Sequence, residues 1–456
     1  MKALTYHQIF KSKNIQIHYI DFINLAMNMP KSSFLLLLVF PLFSCQPKEQ
    51  DSEKVIKAFI GATIIDGTGM SPIHNGTIVV TDGLITDIGF QGDVSIPKGS
   101  ERIDVSNKFI MPGLINTHGH IGGTNGLQGG QYSKGNVIRD LELNARYGVT
   151  TIVSLGGDEQ ASLDIRNVQN TMDLHRSRLY VAGTIVTGDS PEAVRKVVQT
   201  NAGNSVDFIK IRVDDNLGNS IKMSPEIYAT VIDEAHKNNT PVASHLFYLE
   251  DAKGLLIAGT DFIAHSIRDQ EVDQELIDLI KSKNVYYSPT LMREVSTFIY
   301  ESTPAFFSDP FFLKETPATI IDELNNPERQ NRIQSSKSAK AYKVALEVAK
   351  RNLKILSDNG VKIVMGTDAG PPARFQGYFE HEELALMVEA GMTPMQVIKS
   401  ATANAAEYLG LKNLGAIKKG NWADFLLLNA NPLADISNTK KLSAVYIAGN
   451  QVPVKK

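Results

Sequence analysis

The chain has 456 residues, room for one large domain with additions or for several domains of roughly 150 residues each, so a small module is excluded. Its 43% hydrophobic content supplies a sizeable core, and 46 Lys and Arg against 49 Asp and Glu leave a net charge of −3. No basic run is dense enough to follow a phosphate backbone, which sets nucleic-acid binding aside, and the single cysteine, Cys45, excludes an internal disulfide.

At the N-terminus, Lys31 precedes the apolar run Phe34–Phe43, which is broken by Pro41. The run is about half the roughly twenty residues a spanning helix needs, which suits the apolar core of an export signal. The following Leu42-Phe43-Ser44-Cys45 resembles the lipobox of bacterial lipoproteins. That resemblance implies a lipid on Cys45, a polar tether over Gln46–Lys54, and attachment to a membrane surface, with the periplasm-facing outer membrane expected in a two-membrane cell. A cleaved secretory signal with an incidental cysteine is the alternative. Charged and polar groups before residue 29 point to translation starting at Met27 or Met29. Residues 1–54 are therefore read as signal segment and tether.

From 55 to 110, short β-rich runs such as Thr77–Val80 and Leu84–Ile88 are separated by Gly, Asp and Pro turns, as in antiparallel sheet. From 111 to 411, apolar strands alternate with amphipathic stretches such as Ser224–Asn238, the pattern of βα units on a parallel sheet. Strands are expected to end near His118, Leu155, Thr184, Arg212, His245, His265, Pro289 and Asp368. The pattern predicts an α/β fold, a closed (β/α)8 TIM-like barrel with its active site at the C-terminal ends of the strands. Residues 412–456 return to turn and strand, so both flanks are expected to pair into one β-sandwich. The segment Leu291–Asn359, with Phe306, Phe307, Phe311 and Phe312, is too long for an ordinary connection and is read as a helical cap near the site. The glycine-rich Gly122–Gly135 lacks phosphate-cradling spacing and is read as a mobile loop over the site.

The chemistry gathers at the expected strand ends. His118 and His120, two apart at the end of one strand, share a face and can reach one metal ion. His245, His265 and Asp368 each close a later strand, Asp368 within Val364-Met-Gly-Thr-Asp-Ala-Gly. Such a set of imidazole and carboxylate ligands suits a metal site far better than an isolated His-x-His.

The arrangement resembles the amidohydrolase superfamily, metal-dependent hydrolases on a (β/α)8 barrel flanked by a β-sandwich. Phe109-Ile-Met-Pro-Gly-Leu-Ile-Asn-Thr-His-Gly-His is similar to the signature of its imidazolonepropionase-related and prolidase-like group. So are Glu389-Ala-Gly-Met-Thr-Pro, Ser400-Ala-Thr-Ala-Asn-Ala-Ala and Gly415-Ala-Ile-Lys-Lys-Gly-Asn-Trp-Ala-Asp, and the resemblance spans Val55–Val452. In the group's peptidase-like members a lysine on the fourth strand is carboxylated by carbon dioxide, and Lys210 stands at that place. The resemblance then implies two divalent metal ions: His118, His120 and Asp368 on one, His245 and His265 on the other, carboxylated Lys210 between them. Carboxylation needs a neutral amine, which burial favours; an ordinary lysine paired with Asp207 or Asp214 is the alternative. Zinc is the expected metal, with manganese, cobalt and iron remaining open.

The resemblance implies hydrolysis of C–N bonds, amide or peptide-like, in a small molecule such as a dipeptide or N-acyl amino acid. A metal-bridging hydroxide would attack the carbonyl, and Asp368, both ligand and base, would pass the proton to the leaving nitrogen. Tyr248 and Arg212 are candidate contacts for an anionic substrate group, with loop packing and a strand-end ion pair as their alternatives. His381 is placed outside the metal shell, and Trp422 is expected to pack the sandwich. Two other readings stay open: a hydrolase of a lactone, cyclic amide or organophosphate, or a single-metal imidazolonepropionase-like enzyme, and a non-catalytic small-molecule-binding lipoprotein. A homo-oligomer is compatible with the resemblance.

Overall fold

The structure, a computed structural model, describes residues 54–455. Cys45 and the whole signal segment before Glu53 lie outside the described residues.

The two flanks of the chain meet in one sheet. Strand Phe109–Pro112 runs antiparallel to Phe425–Leu428, with Phe109 opposite Leu428 and Pro112 opposite Phe425. On one side Leu442–Ile447 extends the sheet, and on the other Ile56–Ile64, Ile73–Thr81 and Leu84–Phe90 do so. Alternation along these strands directs Phe59, Ile78, Ile110 and Phe425 into a shared core. There the Phe59 ring lies 4.9 Å from Phe425 and 4.8 Å from Tyr446, both edge-on. Trp422 sits at the margin of this sheet, its ring 4.7 Å from the Arg178 guanidinium.

The rest is a TIM-like barrel. Leu114–Gly119, Val149–Ser154 and Arg178–Val181 form one parallel group, and Ile209–Val213, Val242–Leu246, Phe262–Ile263 and Tyr286–Tyr287 form another. Their side chains are almost all buried, as expected for strands covered on both faces. Bridges between Val186 and Ile211, Tyr287 and Ile363, and Gly119 and Ala369 close the ring. Its helices cover the outside: Pro225–Lys237 starts with Pro at its first turn and buries Ile227, Val231, Ile232 and Ala235.

The eighth strand differs from expectation, because Val361–Asp368 forms no regular ladder. It is held by single bonds, from Thr117 N to Met365 O (2.9 Å) and from Thr367 N and Asp368 N to His118 O (3.0 and 2.7 Å). Close packing explains why: a Cβ on Gly366 would lie 2.9 Å from that of His118, and Asp368 itself is left-handed, with φ +56°. The chain therefore bends away from pleated geometry where it carries the carboxylate.

Leu291–Asn359 is helical and ends in the long helix Lys337–Asp358, capped by Ser336, whose Oγ accepts from Ala339 N. Its aromatic part packs on the loop after Asp368: Phe312 lies 4.8 Å from Phe375, and the Tyr300 hydroxyl donates to Ala373 O (2.6 Å). Within Gly122–Gly135, Thr124–Asn125 pairs with Gln128–Gly129 as a short hairpin, tied down by Arg139 Nη2 donating to Thr124 O (2.6 Å).

Candidate metal centre

Strand ends bring His118, His120, Lys210, His245, His265 and Asp368 together at one mouth of the barrel. His118, His120 and Asp368 each offer one ligand atom, all within 4.8 Å of one another, a set that can hold a metal ion. His120 Nε2 is 2.9 Å and His118 Nε2 3.6 Å from Asp368 Oδ1. The His265 ring lies 4.5 Å from that of His118 and 4.1 Å from that of His245. Lys210 Nζ approaches His118 Nε2 at 3.4 Å.

Hydrogen bonds fix which nitrogen each imidazole presents. His118 Nδ1 lies 2.7 Å from Ala264 O, and His120 Nδ1 3.1 Å from Gly156 O. A carbonyl only accepts, so Nδ1 carries the proton in both rings and Nε2 keeps its lone pair. His265 is held similarly, Nδ1 lying 2.7 Å from Thr290 Oγ1. His245 is turned the other way: its Nε2 meets Asp214 Oδ2 at 2.7 Å, leaving Nδ1 as the available donor atom.

Burial keeps His118, His245 and His265 in ligand-competent protonation states. Desolvation pushes His118 and His265 well below the ordinary histidine range and His245 down to about 3. Burial also lowers Lys210 to about 7, against the opposing pull of Asp368, so a large fraction of its amine is neutral near pH 7. Burial acts on Asp368 in the opposite sense, yet the positive charge of the Arg374 guanidinium holds it well below the carboxylate range. The neutral imidazoles of His118, His245 and His265, a carboxylate and a partly neutral amine are what a divalent cation and a carboxylating lysine require, so the donor set fits the metal chemistry expected for it.

Neither proposed partner of Lys210 engages it. Asp207 binds Arg166 at 2.7 Å and Asp214 binds His245. Arg212 leaves the buried face: its side chain is 42% exposed, it bonds Asn216, and it lies 3.8 Å from Asp214. The Tyr248 hydroxyl donates to Asp215 Oδ1 (2.8 Å), with Lys222 Nζ 4.8 Å from its ring centre. His381 is buried away from the cluster, Nε2 donating to Tyr147 O (2.7 Å).

Two contributors escaped the sequence reading. Asp214, considered only as a partner for Lys210, orients His245 instead, and its signal was its place four residues after Lys210 at the same strand end. Arg374 Nη1 reaches Asp368 Oδ2 at 2.5 Å from the loop Pro371-Pro-Ala-Arg, where nothing in the spacing marks it.

Comparison with known proteins converges on one family. Residues 109–452 match the model of the Amidohydrolase family. An ochratoxinase of Aspergillus niger is 27% identical over 454 aligned positions, covering 87% of this chain and 85% of that protein. An imidazolonepropionase of Deinococcus deserti is 36% identical over a shorter stretch of 101 positions, 21% of this chain and 25% of that protein. Among solved structures, a Bifidobacterium longum protein assigned as a prolidase superposes with a TM-score of 0.70 at 26% identity, over 87% of this chain and 94% of that one.

Proposed function

The chain belongs to the amidohydrolase family, hydrolases acting on carbon–nitrogen bonds, and on that premise we propose that it cleaves the amide bond of a small molecule of the dipeptide or N-acyl amino acid class. The observation that carries this reading is the approach of His118, His120 and Asp368 to one another, with His245, His265 and the buried Lys210 beside them at the barrel mouth. Two divalent ions, with zinc the expected metal, would be held by His118, His120 and Asp368 and by His245 and His265. Between them would stand Lys210, its amine nitrogen joined to carbon dioxide with loss of one proton. A metal bound there supplies Lewis-acid polarisation and makes hydroxide available near neutral pH. The protein's own part is positional and protic. Asp368, deprotonated in the folded state, accepts the proton of the attacking water and delivers it to the leaving nitrogen.

The ochratoxinase and prolidase likenesses support an amide-type substrate. Export and lipid attachment through Cys45, on a periplasm-facing membrane surface, belong to the same proposal, and intact mass of the native N-terminus tests them. A mature chain retaining Met1 would refute them.

The deciding experiment is metal content per chain together with intact mass or a crystal structure resolving Lys210. Two metals and a carboxylated lysine are expected, followed by turnover of a dipeptide and N-acyl amino acid panel. One metal beside a free lysine amine would replace this reading with a single-metal, imidazolonepropionase-like one.

A further inference from the structure

Beside the centre lies a cavity of about 420 Å³, within the usual range for small-molecule sites. Leu143, Ile320, Pro371 and Phe375 give it apolar walls, and Arg139 and Arg374 are among its polar lining. Arg374 joins cavity and centre, because this residue lines the cavity and also bonds Asp368 through Nη1. Its Nε and Nη2 have no hydrogen-bond partner among the described residues, and its side chain is only 20% exposed. The carboxylates in the lining are already neutralised: Asp140 by Arg139 at 2.7 Å, and Glu315 by Arg146 through two bonds of 2.8 and 3.1 Å. Arg374 is thus left with unused donors beside apolar walls, where a planar guanidinium can hold a carboxylate through a two-pronged bond.

The backbone holds that guanidinium in place. Arg374 N donates to Pro371 O (3.0 Å), Arg374 O accepts from Gly370 N (3.0 Å), and the Tyr300 bond to Ala373 O pins the preceding residue. Such preorganisation is what a specificity contact needs.

We propose that this cavity is the subsite for the carboxylate-bearing half of the substrate, an amino-acid unit with a bulky apolar side chain, and that Arg374 Nε and Nη2 hold its carboxylate. The assignment deepens the amide-hydrolase reading and rests on it. It also differs from a role for Tyr248, whose hydroxyl donates to Asp215, or for Arg212, whose side chain is 42% exposed and bonds Asn216.

The test uses the metal-loaded enzyme and two readouts. Calorimetric titration with 3-phenylpropionate, and with 3-phenylpropanamide as the uncharged control, reads the subsite without turnover. The acid is expected to bind at least tenfold more tightly than the amide. Arg374→Gln should abolish that preference, Arg374→Lys should restore part of it, and Ile320→Trp, which fills the cavity from a partly exposed helix, should weaken the acid at least tenfold. Turnover of N-acetyl-phenylalanine against N-acetyl-glycine should show the same loss in Ile320→Trp, as a raised KM for the larger substrate alone. Binding of the acid that ignores both Arg374 and Ile320 would overturn the proposal, since a carboxylate captured directly by metal would behave that way. Arg374-dependent binding in an enzyme that cleaves no member of the amide panel would instead overturn the amide-hydrolase reading and leave the anion subsite standing.

Discussion

Asp368 shows how much one residue is asked to do. It sits at φ +56°, a conformation few residues other than glycine adopt and one that Asn and Asp tolerate best. Asp368→Asn therefore keeps the backbone while removing the proposed base and an anionic ligand. Turnover should fall by about a thousandfold or more while circular dichroism shows the fold intact, and near-normal turnover would sink the mechanism. Asp214 acts at one remove, through the 2.7 Å bond that fixes His245 with Nδ1 toward the centre. Asp214→Asn should weaken metal affinity by about 10–100-fold, read as metal retained during dialysis against a chelator. A variant that holds metal like the parent would show that His245 needs no such orientation.

Among elements, the turn after the eighth strand is the least tolerant. A Cβ at Gly370 would lie 2.1 Å from His120 O, and the residue's φ is +121°. Gly370→Ala must therefore shift either the turn or the first strand, at a cost of at least about 2 kcal/mol in urea unfolding, with loss of metal because both carry ligands. This geometry also explains why the eighth strand was only partly legible. Its apolar run and terminal Asp368 stood out in the sequence, but the missing ladder follows from how closely Gly366 and Gly370 must approach His118 and His120, and a one-dimensional pattern carries no such distances. The helix Pro225–Lys237 was legible almost to the residue, because its stop, start and apolar face are all local signals.

For the whole molecule, burial of neutral imidazoles sets the acid limit. Desolvation lowers His381 to about 3, while an unfolded chain protonates near 6.5. Between those values the unfolded state binds the extra proton, so this contribution to stability is complete above about 6.5 and drains away as pH falls toward 3. Unfolding free energy should therefore decline below pH 6.5. Replacing His381 by Gln should flatten the slope by about 1.4 kcal/mol per pH unit, and an unchanged slope would mean that His381 is protonated in the fold. The chelator result belongs at this scale too, because ligands from five strand ends share the proposed site, so metal removal should lower the melting temperature of the entire barrel.

What the sequence determined by itself was whatever depends on local order along the chain. Alternating apolar runs set the barrel strands, turn-rich flanks set the sheet at both ends of the chain, residues at strand ends nominated His118, His120, His245, His265 and Asp368, and the family resemblance added Lys210. Tertiary structure decided what depends on distance between remote segments. It chose His245 rather than Lys210 as the partner of Asp214, turned Arg212 outward, brought Arg374 onto Asp368, and folded the aromatic insertion over the loop that carries it. The physical reason is common to all four: each is a competition among charged or aromatic groups for one buried place, settled by close packing and by the cost of leaving a charge unpaired there.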